Sequence, residues 1–365
     1  MIIGAGIAGL TAACALAQRG YQVTVLERAA ALREVGAGLQ ISPNAVRVIE
    51  ALGLWPRFEE ISVPSRRVEL HDSVGRTVAV LDLARHRPAD HFRLVHRAKL
   101  LAILETAARE AGVQIKTGHQ VTDIPDVPLL IGADGVKSRL RSELNGIETP
   151  FFTGQTAWRT LIPAEPDAAP VAQVFMGPGR HLVSYPLGAG LRNIVAVVER
   201  PDWREEGWSI AGDPAELRAA FARFGGPVPE WLARVDEASI WGLFRHTVAA
   251  HWQDGRRALI GDAAHPTLPF MAQGAVMAIE DAWVLAACLA ADSDQQSALA
   301  RFQALRQPRC QRIVEAANAN ARNYHLRGPT RAVAHAGLRA VSRLAPGSMI
   351  RRFAWLYDYD PTTVV

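Results

Sequence analysis

The chain has 365 residues, 49% of them hydrophobic, enough for a sizeable core in two domains or in one large domain with an insertion; disorder and a coiled coil are excluded. Its formal charge of +4 comes almost wholly from scattered arginines, since Lys99, Lys116 and Lys137 are the only lysines, and no basic run is interleaved with aromatic residues, which argues against a nucleic-acid partner. Cys14, Cys288 and Cys310 are too far apart for a disulfide frame or a zinc site, no metal is expected, and with neither a basic leader nor an uncharged apolar run of spanning length the chain reads as a soluble, cytoplasmic protein without an integral membrane segment.

Taken in order, Gly4-Ala5-Gly6-Ile7-Ala8-Gly9 matches G-x-G-x-x-G. Alone the pattern is weak, and its setting strengthens it. A helical run of small residues from Ile7 to Arg19 stops at Gly20, and Val23–Leu26 follows as a strand ending at Glu27. An acid roughly 20 residues beyond the glycines is where a dinucleotide fold needs a carboxylate for the adenosine ribose. Only Met1 to Ile3 precede the glycines, so the first strand is clipped.

From Glu34 to Ala45 the glycines Gly36 and Gly38 permit close backbone approach, and Ser42-Pro43-Asn44 begins a helix towards Leu52. The bland alternative for this segment is a connecting loop. Phe92–Arg97 is a strand leading into a helix over Ala98–Ala111. Arg97 stands at the helix start, where a cation opposes the dipole, and this calls for a fixed anionic or carbonyl partner. Val113–Thr117 is a further strand. Leu129–Gly132 is another, ending in Ala133-Asp134-Gly135 before a helix that carries Ser138, Arg139 and Arg141. Such a strand-end acid faces a diphosphate and ribose from the other side, or merely caps a turn.

Between Phe151 and Trp241 short alternating segments separated by Gly and Pro predict an antiparallel sheet, a layer apart from the parallel one. Period-2 alternation puts His181, Val183 and Tyr185 on one face. A His and a Tyr at one pocket can bind and deprotonate a phenol; the alternative is that they pack with their polar ends satisfied. Asp213–Phe221 and Pro229–Val235 read as short helices. Arg257–Ile260 is a buried strand running into Gly261-Asp262-Ala263-Ala264-His265-Pro266, and a helix follows over Ala275–Ala291. Backbone N–H groups and the positive helix end there face an anion or an electron-rich ring, with Asp262 free to accept from hydroxyls. Helices over Gln295–Ala321 and Thr330–Leu344 come last, and the aromatic tail Trp355–Asp360 is expected to dock on the body.

With Gly4–Gly9 and Glu27, Leu130–Gly135, and Gly261–Pro266 in this order, nearly the whole chain resembles the single-component FAD-dependent aromatic hydroxylases, the para-hydroxybenzoate and salicylate hydroxylase family, nearest its salicylate hydroxylase-like branch. The resemblance implies an α/β fold: a Rossmann-like FAD-binding domain with a parallel sheet (1–72, 93–150 and 250–325), an interleaved antiparallel β-sheet substrate domain (73–92 and 151–249), and a helical C-terminus (326–365). It also implies a flavoprotein monooxygenase that uses NAD(P)H and O2 to hydroxylate a small phenol or aromatic carboxylate through a flavin C4a-hydroperoxide, as a monomer or homodimer. Gly4, Gly6 and Gly9 would approach the FAD diphosphate, with Glu27 on the ribose and Arg28 beside it. Gly38, Arg97, Asp134, Gly135, Gly261, Asp262, Gly274 and Ala275 would complete the cofactor site. Gln40, His181, Tyr185 and Pro269 would line the substrate pocket, His181 and Tyr185 serving catalysis.

Three features depart from that pattern, the first being the clipped strand before Gly4. Thr122–Pro128 stands where relatives usually carry a β-hairpin, and Pro269 where some carry a polar pocket residue. Two other readings stay open on sequence: an FAD reductase or epoxidase of an alkene or isoprenoid, and a flavin-binding protein without turnover.

Overall fold

The computed structural model describes residues 1–32, 37–203 and 210–365. The predicted loop residues Glu34 to Gly36 lie outside the described residues. Five short strands form an all-parallel sheet in the spatial order Arg257–Leu259, Leu130–Gly132, Ile2–Ile3, Thr24–Leu26, Gln114–Lys116. Strands buried on both faces are written as continuous apolar runs, and Leu130, Ile131 and Ile2 are almost fully buried. Helix Ile7–Ala17 is apolar on every side and buried over Ile7–Leu16, packed against the equally apolar helix Gly274–Ala291. That second helix is long and apolar enough to cross a membrane, but most of it is core, and its Glu280 and Asp281 are fully buried against Arg306.

The second layer is an eight-stranded sheet in the order Ile210–Gly212, Ala238–Arg245, Phe151–Pro163, Leu191–Glu199, Arg180–Leu187, Val171–Gly177, Arg67–Asp72, Thr77–Asp82. Its neighbours are antiparallel except Val171–Gly177 beside Arg67–Asp72. Alternation sorts its two faces. The outer face carries Trp158, Phe175, Leu182 and Ile194, which pack on Leu217, Phe221 and Trp231 from the short helices Pro214–Ala220 and Val228–Ala233. The inner face carries Ala157, Val197, Trp241 and Leu243, which pack on Leu268, Phe270 and Ala321. A small antiparallel sheet, Gly38–Ile41, Arg93–His96 and Ser62–Pro64, joins the two layers.

Several element ends differ from the sequence reading. The last parallel strand closes at Leu259, and two 3-10 turns, Gly261–Ala263 and Pro269–Met271, precede a helix that begins at Gly274. The next helix runs on to Tyr324, and the one after it starts at Gly328, with Pro329 in its first turn, a position that suits proline. The segment 117–129 forms no strand, in keeping with the missing hairpin. The tail docks: Arg47 Nη1 donates to the carbonyls of Tyr357 (2.8 Å) and Tyr359 (3.1 Å), and Leu356 is fully buried.

Candidate functional site

The glycine turn is held from below. Gly4 N–H donates to Leu26 O at 2.8 Å, and the Glu27 carboxylate accepts from Ala5 N–H and Ala29 N–H, both at 2.8 Å. Gly9 has no substitute: a Cβ there would stand 1.9 Å from Gly4 O, where backbone cannot yield. Gly6 caps helix Ile7–Ala17 without any side-chain cap, and a Cβ added there would meet nothing within 4 Å. First-turn N–H groups therefore face open space, the arrangement that receives an anion.

Asp134 stands against this turn, its Cα 3.1 Å from where a Gly4 Cβ would be. Its Oδ2 accepts from Arg139 N–H at 3.1 Å while Oδ1 is buried with no partner. Burial raises its pKa, opposed by hydrogen bonds from Ser138 and Arg139 and by the charge of exposed Arg28. Gly135, at φ +78°, accepts from Ser138 N–H at 3.0 Å and closes the turn.

The second cluster lies at the other parallel strand end. Gly261 N–H donates to Asp281 Oδ2 at 3.0 Å, and a Gly261 Cβ would lie 2.9 Å from Ala8 Cβ, so this turn abuts the first helix. Asp262 is open to solvent yet crowded by protein. Desolvation raises its pKa, an effect its access to water limits, and His265, Arg97 and His246 oppose the rise. Arg97, whose N–H donates to Ala37 O at 2.8 Å, thus has the anionic neighbour that its position at a helix start calls for. Ala272 takes a left-handed φ of +54° just before helix Gly274–Ala291, whose N-terminus has no side-chain cap, and half-buried Ala275 lies in its first turn. Gln273 Oε1 is a further buried acceptor without a partner.

These observations fit a dinucleotide-type cofactor: two uncapped helix starts for a diphosphate and for an electron-rich ring edge, an acid at each of three strand ends, and an unsatisfied Asp134 oxygen awaiting a donor.

The predicted pocket residues divide. Gly38 lies against Tyr185, where a Cβ would come within 2.6 Å of Cε2, and its N–H donates to Asn193 Oδ1 at 2.8 Å. Tyr185 is buried with Leu94, Ala172 and Leu187. Burial raises its pKa, opposed by Arg159. His181 is buried with its ring 5.5 Å from Phe270, the neighbour of exposed Pro269. His181 and Tyr185 share the inner face, as Val197 and Asn193 opposite them do. Four residues of strand nevertheless separate them by about 13 Å. Gln40 lines a cavity of about 50 Å³ with Ser42, Gln273 and Tyr357, and Leu94 of the same lining packs with Tyr185.

Two groups escaped the sequence reading. Half-buried Arg159 lies on the inner face with its guanidinium 4.9 Å from the Trp241 ring centre. His265, Glu280, Asp281, Arg306 and Arg309 make a buried ion network behind the Asp262 turn. The available signal was an acidic pair inside an otherwise apolar run, which demands buried partners.

The family model described as FAD binding domain matches residues 1–126 and 126–317. The chain is 34% identical over 390 aligned positions to a 3-amino-4-hydroxybenzoate 2-monooxygenase of Streptomyces platensis, covering 100% of this chain and 96% of that protein. It is 31% identical to 3-hydroxybenzoate 6-hydroxylase 1 of Aquipseudomonas alcaligenes, over 99% and 97% of the two chains. Among solved structures, Klebsiella pneumoniae HpxO complexed with FAD and uric acid superposes with a TM-score of 0.84 at 27% identity, covering 98% of this chain and 96% of that one.

Proposed function

Since the chain belongs to the FAD-binding-domain family of flavoprotein aromatic hydroxylases, we propose that it hydroxylates a small phenol bearing an acid group, with NAD(P)H and O2, and that His181 takes the phenolic proton. Bound FAD supplies the redox and oxygen-activating chemistry. In this reading Gly4, Gly6, Gly9, Glu27, Arg28, Asp134 and Gly135 hold its adenosine and diphosphate, Gly38, Arg97, Gly261 and Asp262 its middle, and Gly274-Ala275 its ring edge. Segments 1–66, 93–150 and 250–325 serve the cofactor. The substrate layer takes in Arg67–Asp72, because that strand pairs with Val171–Gly177.

The observation that carries the assignment is the inner face of the large sheet, turned towards Phe270 and the Pro269–Met271 turn. On it stands a histidine held neutral: burial, then the nearby His325, keeps the His181 pKa well below its ordinary value. A neutral imidazole accepts a phenolic proton, and general-base help of this kind contributes typically ~10² to 10⁴ in rate. Tyr185, whose pKa burial raises, stays a phenol and can donate a hydrogen bond but not act as the base. Arg159 supplies the cation for a carboxylate. Gln40 and Pro269 stand at the pocket rim, Pro269 offering shape and no hydrogen bond. Three buried free cysteines support a reducing, cytoplasmic setting.

The test is to load the protein with FAD and follow NADH and NADPH oxidation with 3-amino-4-hydroxybenzoate, 3-hydroxybenzoate and salicylate. Stimulated oxidation with a hydroxylated product is expected for at least one of them. His181→Gln should keep FAD and lose product; turnover equal to that of the parent enzyme would remove His181 from the mechanism. Tight FAD with no stimulation by any aromatic would favour the alkene-directed or non-catalytic readings.

A further inference from the structure

His181 does not end at its own ring. Its Nδ1 lies 2.7 Å from Nε2 of His325, which follows the last residue of helix Gln295–Tyr324. His325 Nδ1 lies 3.1 Å from Glu199 Oε1 at the end of strand Leu191–Glu199, and Glu199 pairs with Arg327. Exposure climbs along this line, from His181 at 2% and His325 at 5% of the whole residue to the side chains of Glu199 at 37% and Arg327 at 64%. A continuous file of titratable groups thus joins the inner sheet face to solvent.

We propose that His181, His325 and Glu199 form a proton wire that carries the substrate's phenolic proton out of the pocket. The proposal rests on the reading of His181 as the base. In the resting state both rings are neutral: His181 donates Nδ1–H to His325 Nε2, and His325 donates Nδ1–H to the Glu199 carboxylate. The phenolic O–H bond then breaks as His181 Nε2–H forms. His181 Nδ1–H passes to His325 Nε2, His325 Nδ1–H passes to Glu199, and Glu199 yields the proton to water. The phenolate keeps the electron pair, one proton leaves, and nothing is oxidised or reduced. The reverse sequence returns a proton to the product and resets both tautomers.

The surroundings suit this task. Around His181 the rings of Phe270 and Tyr324 exclude other charges, with Tyr324 held protonated by burial, its pKa raised to about 12. Facing His325, burial lowers its pKa, Glu199 raises it, and Arg327 and Arg180 lower it. Two adjacent imidazoles repel each other's positive charge, so a proton passes along and does not lodge. Gln155 Nε2 lies 3.3 Å from His325 Nδ1 while its Oε1 is buried without a partner. A terminal amide turned one way accepts from Nδ1–H and turned the other way donates to bare Nδ1, so Gln155 satisfies both tautomers of the wire.

The experiment mixes FAD-loaded enzyme rapidly with 3-amino-4-hydroxybenzoate or 3-hydroxybenzoate and a pH indicator, reading proton release together with phenolate absorbance. His325→Gln and Glu199→Gln should slow proton release by about tenfold or more, a fraction of a full general-base effect, while FAD occupancy and equilibrium phenol binding hold. Imidazole should restore release in His325→Gly. Glu199, half-exposed, gives a variant that folds should His325→Gln fail to. Wild-type release rates in both relay variants, with His181→Gln silent, would overturn the wire and leave the base in place. Unchanged release in His181→Gln, or phenol binding by the parent enzyme without any proton release, would overturn base and wire together.

Discussion

Arg306→Met tests how the cofactor-side turn is held. Arg306 is fully buried, its Nε 2.8 Å from Asp281 Oδ1 and its Nη2 2.6 Å from Glu280 Oε2. Burial would raise the Asp281 pKa, but His265 and Arg306 together bring it from 3.8 down to about 2. A carboxylate depressed by that much contributes on the order of 2 kcal/mol, fully present above the unfolded value and lost as pH falls through the folded one. Removing one partner of a buried pair costs about 3 to 5 kcal/mol. The lower end applies here, because Glu280 keeps Arg309 and Asn44 while Asp281 keeps His265 and the Gly261 N–H. We therefore expect a loss of about 3 kcal/mol at pH 7.5 by urea unfolding. In the variant the Asp281 pKa rises from about 2, so the deficit holds between pH 7.5 and 5 and shrinks as pH falls below about 4, where the parent protein loses the Asp281 contribution. Because Asp281 Oδ2 also anchors Gly261, FAD affinity should fall with stability. A deficit under about 1 kcal/mol at pH 7.5, or one that does not shrink below about pH 4, would refute the assignment of the network as a charge-compensated strut.

Gly9→Ala drives a Cβ to within 1.9 Å of Gly4 O, and the flavin-loaded fraction after purification should drop at least about tenfold; normal loading would mean that the turn is not the diphosphate seat. Asp262→Ala removes an ionised acceptor, which should weaken FAD by about 2 kcal/mol, roughly 30-fold by fluorescence titration, and unchanged affinity would detach Asp262 from the cofactor. Arg159→Met should raise KM for aromatic acids by about tenfold or more with a smaller change in kcat, and leave uncharged phenols unaffected; equal KM values would remove the carboxylate role.

What the sequence revealed was local in it. G-x-G-x-x-G followed by an acid at the next strand end, Asp134-Gly135 and Gly261-Asp262 each occupy a few consecutive residues at a strand end, and the parallel sheet follows from where those strands stop. Alternation over 181–185 correctly put His181 and Tyr185 on one face. Partners distant in the chain were hidden. Glu280-Asp281 look like interruptions of an apolar helix until Arg306 and Arg309 arrive from the following helix. His325 meets His181 across 144 residues, and no local pattern marks such a pair. Arg159 sits in an ordinary strand sequence, and only the register against Val195 and Ser239 puts it on the inner face.

Sharing a face is not the same as sharing a proton. The backbone positions of His181 and Tyr185 are about 13 Å apart along one strand, further than a single aromatic ring spans. On the proposed function the two residues would therefore address different ends of a substrate. The end nearer Phe270 meets a neutral imidazole, and the end nearer Gly38 meets a protonated phenol with Arg159 acting on it electrostatically. A proton acceptor at one end with a donor and a cation at the other orients a phenol carboxylate head to tail. Pro269 sharpens the division, because a ring without an N–H or a hydroxyl cannot share the work of ionising the phenol. On the proposed function the whole of that task would fall to His181, and the route its proton takes afterwards would limit turnover.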